Sequence, residues 1–396
     1  MLTTLAIQNY RSIQQLLIPL GSLNLITGPN GSGKSNLYRA LRLLAETARG
    51  GVVSSLANEG GLESTFWAGP EKITKRMRSG EVAVEGGPRQ QRVRLRLGFS
   101  TDDYSYAIAL GLPPPHKPDP PHEPPSAFQL DPEIKHEAIW VGPIYRPASV
   151  LVNRDGAIVS TREGRQTRVI SQNLNTFDSL FDQVADASTT PEVVLLRDSI
   201  RSWRFYDHFR TDREAPARQP QLGTRTPVLH HDGHDLAAAL QTIREIGNPT
   251  ALNNAISDAF PGASLNIVRH GDGRFSIEFM QHGLLRPLTG AELSDGTLRY
   301  LLWIAALLTP RPPQLMVLNE PETSLHPDLL PALARLIIQA ATQSQVWVVS
   351  HASRLIAALE ENRQCNTVRL TKELGQTSIV GQSMLDEPAW HWADKT

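Results

Sequence analysis

The sequence predicts an α/β fold, and three observations predict it. The strand-like run Leu23 to Thr27 leads through a glycine-rich segment into apolar positions at Leu37, Leu41, Leu44 and Ala48, a helical spacing of three and four. A second run, Leu315 to Leu318, hands over to the polar residues Asn319 and Glu320, and a helix is expected from Pro327. A third run, Val346 to Val349, follows that helix. Buried strands alternating with helices form open sheets whose ligands gather at the strands' carboxyl ends.

The chain has 396 residues, enough for one large or two ordinary domains. Hydrophobic residues make up 40%, and 39 Lys and Arg face 40 Asp and Glu, a net charge of −1. That balance excludes a polybasic coat and an acidic tail, so any nucleic acid must meet a local patch. The single cysteine, Cys365, excludes an intrachain disulfide framework and a cysteine-based zinc site, and fits a reducing compartment. The opening MLTTLAIQNYRSI has no apolar run of signal-peptide length, and no stretch approaches the roughly 18 apolar residues of a membrane span. A soluble, cytoplasmic protein without membrane contact is expected.

Taken in order, Leu5 to Ile7 and Ile13 to Ile18 read as strands joined by a turn at Asn9 to Ser12, and Pro19 and Gly21 break the chain before Leu23. The helix after the glycine loop should end at Gly50 and Gly51. Residues 92–98 and 104–110 alternate strictly and predict a hairpin. Residues 113–126 hold eight prolines in fourteen positions, which suits a surface loop or stiff spacer. Short strands are expected over 136–170, and helices over 174–185, 191–209, 235–246 and 250–260. A strand pair near Leu265–Ile267 and Phe275–Phe279 follows, then a helix from Ser294 and terminal strands near 366–371 and 376–380. The resulting organisation is an N-terminal half over 1–112, the proline-rich loop over 113–126, a mixed α+β insertion over 127–262, and a C-terminal half over 263–396.

Gly28-Pro-Asn-Gly-Ser-Gly-Lys-Ser35 fits G-x-x-x-x-G-K-[ST] between a strand and a helix, the context that makes it a P-loop. In this motif the backbone N–H groups of Asn30, Gly31, Ser32 and Gly33 curl around phosphates, and the helix starting near Lys34, Ser35 and Asn36 points its positive end at them. Lys34 reaches the outer phosphate oxygens, and the Ser35 hydroxyl binds Mg²⁺. Asn319-Glu320 has the form of a Walker B segment: Glu320 would orient and deprotonate the attacking water. Asn319 stands where aspartate is usual and offers an amide oxygen without charge, which implies weaker Mg²⁺ binding or help from Glu322. Leu293-Ser-Asp-Gly-Thr297 precedes a helical stripe, so Ser294 and Gly296 mark either a second anion site or a plain helix cap.

P-loop, Ser-Asp-Gly-Thr and Walker B in this order resemble the ABC-type ATPase heads of the RecF, SMC and OLD-like group, over roughly residues 1–110 and 265–396. The opening turn IQNYRSI, the segment Glu320 to Pro327, and Val348-Val-Ser-His351 agree. The resemblance implies a P-loop NTPase fold with ABC/SMC-type head architecture, ATP and Mg²⁺ as ligands, and ATP hydrolysis. It implies a homodimer in which Ser294 and Gly296 of one copy grip the γ-phosphate held by the other. It also implies Ser324 to His326 as the D-loop and His351 as the switch histidine. Where the group carries a Q-loop glutamine, this chain reads Glu63-Ser-Thr-Phe-Trp-Ala-Gly69. No heptad run supports coiled-coil arms, and no room is left for a C-terminal nuclease domain. DNA is the expected partner, in repair, recombination or phage defence. The alternative is a low-turnover ATP switch that restrains an effector such as a nuclease or toxin. A transporter's nucleotide-binding subunit fits the motifs but not the insertion.

Other clusters carry competing readings. His230-His-Asp-Gly-His-Asp235 is a metal site or a polar loop capping the next helix, the latter preferred. Ser202 to Arg210 interleaves basic groups with aromatics, as a DNA contact or, more commonly, a buried helix end. Arg162, Arg165 and Arg168, with Arg154 nearby, read as a phosphate-facing loop. Lys72, Lys75, Arg76 and Arg78 form a second basic run, and Trp390-His-Trp392 a packed tail or a docking peptide.

Overall fold

The computed structural model describes residues 1–86, 92–114, 127–164, 166–184, 186–383 and 385–394. Most of the proline-rich segment, with His116 and His122, and Arg165 lie outside the described residues. In chain order the elements are β1 (Leu2–Tyr10), β2 (Ile13–Pro19), β3 (Leu23–Thr27), α1 (Lys34–Thr47), α2 (Val52–Asn58), α3 (Leu62–Thr65), α4 (Lys75–Arg78), β4 (Leu95–Thr101), β5 (Tyr104–Gly111) and β6 (Glu133–Val141). Then come β7 (Val150–Asp155), β8 (Ile158–Glu163), β9 (Gln166–Ser171), α5 (Leu180–Gln183), α6 (Pro191–Ser202), β10 (Arg204–Tyr206), β11 (Gln221–Leu222), α7 (Leu236–Ile246) and α8 (Pro249–Ala259). The chain closes with β12 (Ser264–Arg269), β13 (Arg274–Met280), β14 (Leu288–Thr289), α9 (Asp295–Leu307), β15 (Leu315–Asn319), α10 (Leu330–Ala340), β16 (Gln345–Val349), α11 (Ser353–Glu360), β17 (Cys365–Glu373) and β18 (Gln376–Ile379).

These elements fall into two compact units. One comprises residues 1–20, 28–201 and 368–396, the other residues 21–27 and 202–367. The boundary at 201/202 divides the 127–262 stretch, whose first part supplies strands to one unit and whose second part supplies helices to the other. Among the described residues, no helix is long and apolar enough to cross a membrane.

The first unit is built on an antiparallel sheet in the order β2-β1-β4-β5-β6-β7-β8-β9. Its expected hairpin forms, with Leu97 opposite Ile108. Glu137 on β6 and Arg154 on β7 are directly opposed and form a fully buried ion pair at 2.8 Å. Remaining lone pairs and N–H groups are satisfied. The Tyr106 hydroxyl (2.7 Å), the Ser179 hydroxyl (2.7 Å) and the Leu180 N–H (3.0 Å) donate to Glu137, while Arg154 donates to the Gly156 and Asn175 carbonyls at 2.8 and 2.7 Å. A charge taken from water this completely persists only when every partner is present. Arg154 is therefore not part of a phosphate-facing loop, because the carboxylate across the strand pair claims it. The same contact shortens the helix expected over 174–185: the Asn175 carbonyl bends toward Arg154, and only the four-residue α5 forms.

Trp390 packs against Trp140 and Trp392, each at 5.4 Å between ring centroids. Arg94, just before β4, and Arg96 within it hold the Asp394 carboxylate at 2.9 and 2.8 Å. The tail is packed.

In the second unit, strands β10-β15-β16-β3 lie side by side and parallel. The helix expected to reach residue 209 stops at Ser202, and Arg204 to Tyr206 pair with β15 instead. Trp203, Phe205, Tyr206 and Phe209 are all buried, and Phe209 meets Trp303 edge-on at 4.9 Å. Burial, not exposure to DNA, is what these aromatics do. From Leu298 to Leu307, α9 is buried on every side, as befits a helix whose residues are apolar but for Arg299 and the Tyr300 hydroxyl. A small antiparallel sheet, β11-β13-β12 with β14 on β13, lies in the same unit.

Candidate functional site

In the first unit, the glycine loop runs from Gly28 into α1. Gly33 sits at φ +107°, and a Cβ there would fall 2.2 Å from the Thr377 hydroxyl oxygen, so only glycine fits. No side chain caps α1, which leaves its positive end to whatever anion meets the loop. The Lys34 ammonium is folded inward, donating to the Gly28 and Pro29 carbonyls at 2.6 and 3.1 Å. Ser32 Oγ is buried with no partner. Asn30, Gly31 and Ser35 are exposed, while the Asn36 amide donates to Ser12 Oγ at 2.8 Å.

Thr377 is the residue that motif reasoning misses here. Its hydroxyl donates to the Ser32 carbonyl at 2.9 Å and lies 2.7 Å from Ser12 Oγ, so the terminal hairpin fixes the loop from behind. The stretch without a Q-loop glutamine lies along the end of β1, where Tyr10 pairs with Phe66.

In the second unit, parallel pairing of Asn319 with Val349 and of Val349 with Ile26 aligns the carboxyl ends of β15, β16 and β3. By chain connection, β3 runs straight into the phosphate loop. Glu320 adopts φ +49°, held there by its N–H donating to the Val349 carbonyl at 2.8 Å. A left-handed glutamate costs energy, and such strain is kept where it aims a side chain. Its Oε1 lies 3.7 Å from His351 Nδ1, which stands nearer, at 3.5 Å, to Glu322 Oε1.

Glu322 is buried, and its Oε1 accepts from the Ser350 hydroxyl (2.7 Å) and the N–H groups of His351 (3.1 Å) and Ala352 (3.2 Å). It therefore ties the turn after β15 to the end of β16, while its other oxygen is buried without a partner. Glu322 thus places a carboxylate three residues beyond Asn319, the residue that lacks charge.

Ser294 caps α9, its hydroxyl accepting from the Thr297 N–H at 3.1 Å. A Cβ on Gly296 would approach the Ser324 carbonyl to 3.2 Å. Two buried arginines brace this region. Arg299 donates to the carbonyls of Thr323 and Phe209, each at 2.8 Å, and burial lowers its pKa. Arg218 donates to the Leu293 carbonyl (2.6 Å), the Gly290 carbonyl (3.1 Å), the Thr211 carbonyl (2.8 Å) and Asp295 Oδ1 (2.6 Å). Nothing in the local sequence marks Arg218; it stands about 75 residues before the turn it holds, and only the fold reveals it.

Of the basic segments, Lys72, Lys75 and Arg78 are exposed, and Arg76 lies 3.4 Å from Glu81. Arg168 is exposed on β9, and Arg162 donates to the Gly164 and Pro147 carbonyls at 2.9 and 3.0 Å.

A family described as "AAA domain, putative AbiEii toxin, Type IV TA system" matches residues 23–135 and 152–357. No curated protein matches in sequence. Among solved structures, an SMC head bound to the C-winged helix domain of ScpA is 13% identical at a TM-score of 0.52, over 97% of this chain and 98% of that one. The Smc head domain with an extended coiled coil, bound to the C-terminal domain of ScpA and derived from Pyrococcus furiosus, is 11% identical at a TM-score of 0.50, over 97% and 96%. At such identities the likeness is one of fold: a mixed α/β P-loop NTPase fold resembling an SMC head.

Proposed function

From the premise that this chain belongs to that AAA-domain family, we propose that it is an ATP-hydrolysing head that self-associates on ATP and acts on DNA in repair, recombination or phage defence. The observation that carries the reading is the left-handed turn that sets Glu320 beyond the carboxyl end of β15, near His351 after β16, in a parallel sheet whose strand β3 runs into the phosphate loop.

In this reading the loop N–H groups from Asn30 to Lys34 receive the inner phosphates, and Lys34 exchanges two backbone carbonyls for phosphate oxygens. The orphaned Ser32 hydroxyl and the uncapped end of α1 suit an anionic ligand. Ser35 and Asn319 would hold Mg²⁺, with the unpartnered oxygen of Glu322 supplying the charge that Asn319 lacks. When bound, that ion neutralises charge developing between the β- and γ-phosphates. Glu320 accepts the proton of the attacking water, and His351 senses the γ-phosphate. Ser294 and Gly296, at the start of α9, meet the γ-phosphate held by a second copy, so that turnover requires association. The exposed run Lys72 to Arg78 and the β8–β9 hairpin are the surfaces offered to DNA.

A second reading, a low-turnover switch that restrains an effector protein, is favoured by the uncharged Asn319 and by the toxin–antitoxin system in the family's description. ATP turnover measured with and without duplex DNA, with Lys34→Ala and Glu320→Gln as controls, separates the two. Stimulation by DNA that both substitutions abolish supports the DNA-acting head. Nucleotide binding with negligible turnover in either condition overturns it in favour of the switch.

A further inference from the structure

The loop Leu229 to Asp235, which ends at the start of α7, is not the simple helix cap that its sequence suggests. Asp235 makes no side-chain cap to α7; its carboxylate turns back and accepts from the His230 N–H at 3.1 Å. The side chains before it converge. His230 Nδ1 and His234 Nδ1 each lie 2.7 Å from the same oxygen, Asp232 Oδ1, which also accepts the His234 N–H at 3.1 Å. One ligand atom from each of the three residues falls within 4.8 Å of the others.

We propose that His230, Asp232 and His234 form a binding site for one divalent cation of the zinc class. Two imidazoles and a carboxylate are the donor set that Zn²⁺, Co²⁺ and Ni²⁺ take, whereas Mg²⁺ and Ca²⁺ prefer oxygen throughout. A tetrahedral ion holds its ligand atoms about 3.3 Å apart. Each 2.7 Å hydrogen bond therefore opens by about half an ångström as the ion replaces the two shared protons. The fourth position is left to water.

The loop is held well enough to present such a site. At its start, Leu229 is buried and its carbonyl accepts from the Tyr206 hydroxyl at 3.1 Å. At its centre, Gly233 has φ +72° and presses on α9 so closely that a Cβ would fall 2.3 Å from a Leu302 methyl. The bound ion stiffens this loop where it lies against α9, independently of any nucleotide.

The test is titration of the chelator-stripped full chain with Co²⁺ and Zn²⁺, without nucleotide, against His230→Ala, Asp232→Asn, His234→Ala and the control His231→Ala. The expected result is one ion per chain, a tetrahedral cobalt spectrum, and about 100-fold weaker binding in the three ligand variants but not in the control. Thermal unfolding gives a second readout that does not depend on activity. Zn²⁺ should raise the midpoint of the parent chain and of His231→Ala only, since an ion stabilises only a chain that binds it when folded. No uptake by the parent chain, uptake that survives all three substitutions (an adventitious ion only), or an octahedral oxygen-rich spectrum overturns the proposal. A ligand variant that fails to fold, judged by circular dichroism, is replaced by His230→Gln or His234→Gln, which keep a polar side chain and must still lose the ion.

Discussion

The phosphate loop and the turn after β15 are both candidate ligand sites, but they are built in opposite ways. The loop is local: eight consecutive residues, a left-handed Gly33 and an uncapped helix make it, and Thr377 only braces it. The turn is assembled from afar. Glu322 reaches to Ser350 and Arg299 to Thr323, and the neighbouring turn into α9 is held in the same way, by Arg218 on Leu293 and Asp295. A local site loses its ligand when its own residues change, whereas a braced site loses its shape when a distant side chain changes.

The sharpest way to test this contrast is Glu320→Gln. It should lower ATP turnover by about 10²–10⁴-fold, the usual worth of a general base, while nucleotide binding to the loop persists. Steady-state turnover beside equilibrium binding of a fluorescent ATP analogue checks it. Lys34→Ala should act the other way round, removing binding and about 10²–10³-fold of turnover with little change in the second unit's stability.

Arg218→Ala should then expose the difference in construction. It strips donors from buried carbonyls of Thr211, Gly290 and Leu293 at once, a cost of about 3 kcal/mol. Hydrogen exchange at Leu293 to Thr297 should rise by about 100-fold while the phosphate loop stays unchanged. Arg218→Lys should recover less than half, because an ammonium lacks the planar fork. Equal exchange in both regions would erase the distinction between local and braced.

How much was legible follows from the same contrast. The glycine loop between β3 and α1 and the central strands β3, β15 and β16 could be read because each is written in consecutive residues. The brace could not, since Arg218 lies in an irregular stretch whose only signal is tertiary. Aromatics at 203–209 looked helical by spacing, yet parallel pairing with β15 drew Arg204 to Tyr206 into a strand. Arg154 looked like one more surface arginine, because sequence does not show that Glu137 stands opposite it.

The smallest effect concerns the first unit alone. Burial holds the His136 imidazole below its ordinary value of 6.5, with Asn153 Oδ1 2.8 Å from Nε2. A depressed histidine is favoured neutral by the fold, so its contribution is complete above that value and is lost as pH falls below it. Denaturation of the first unit should therefore ease as pH falls below 6.5, and His136→Gln should flatten that dependence.

On the proposed mechanism, ATP brings two copies together through the loop of one and the start of α9 of the other. Light scattering of Glu320→Gln with and without ATP tests it most directly, with Ser294→Arg added as a block. The expected result is a monomer that becomes a dimer on ATP, and no dimer once Ser294→Arg is present. A chain that binds ATP and stays monomeric, or one whose dimer ignores Ser294→Arg, contradicts it.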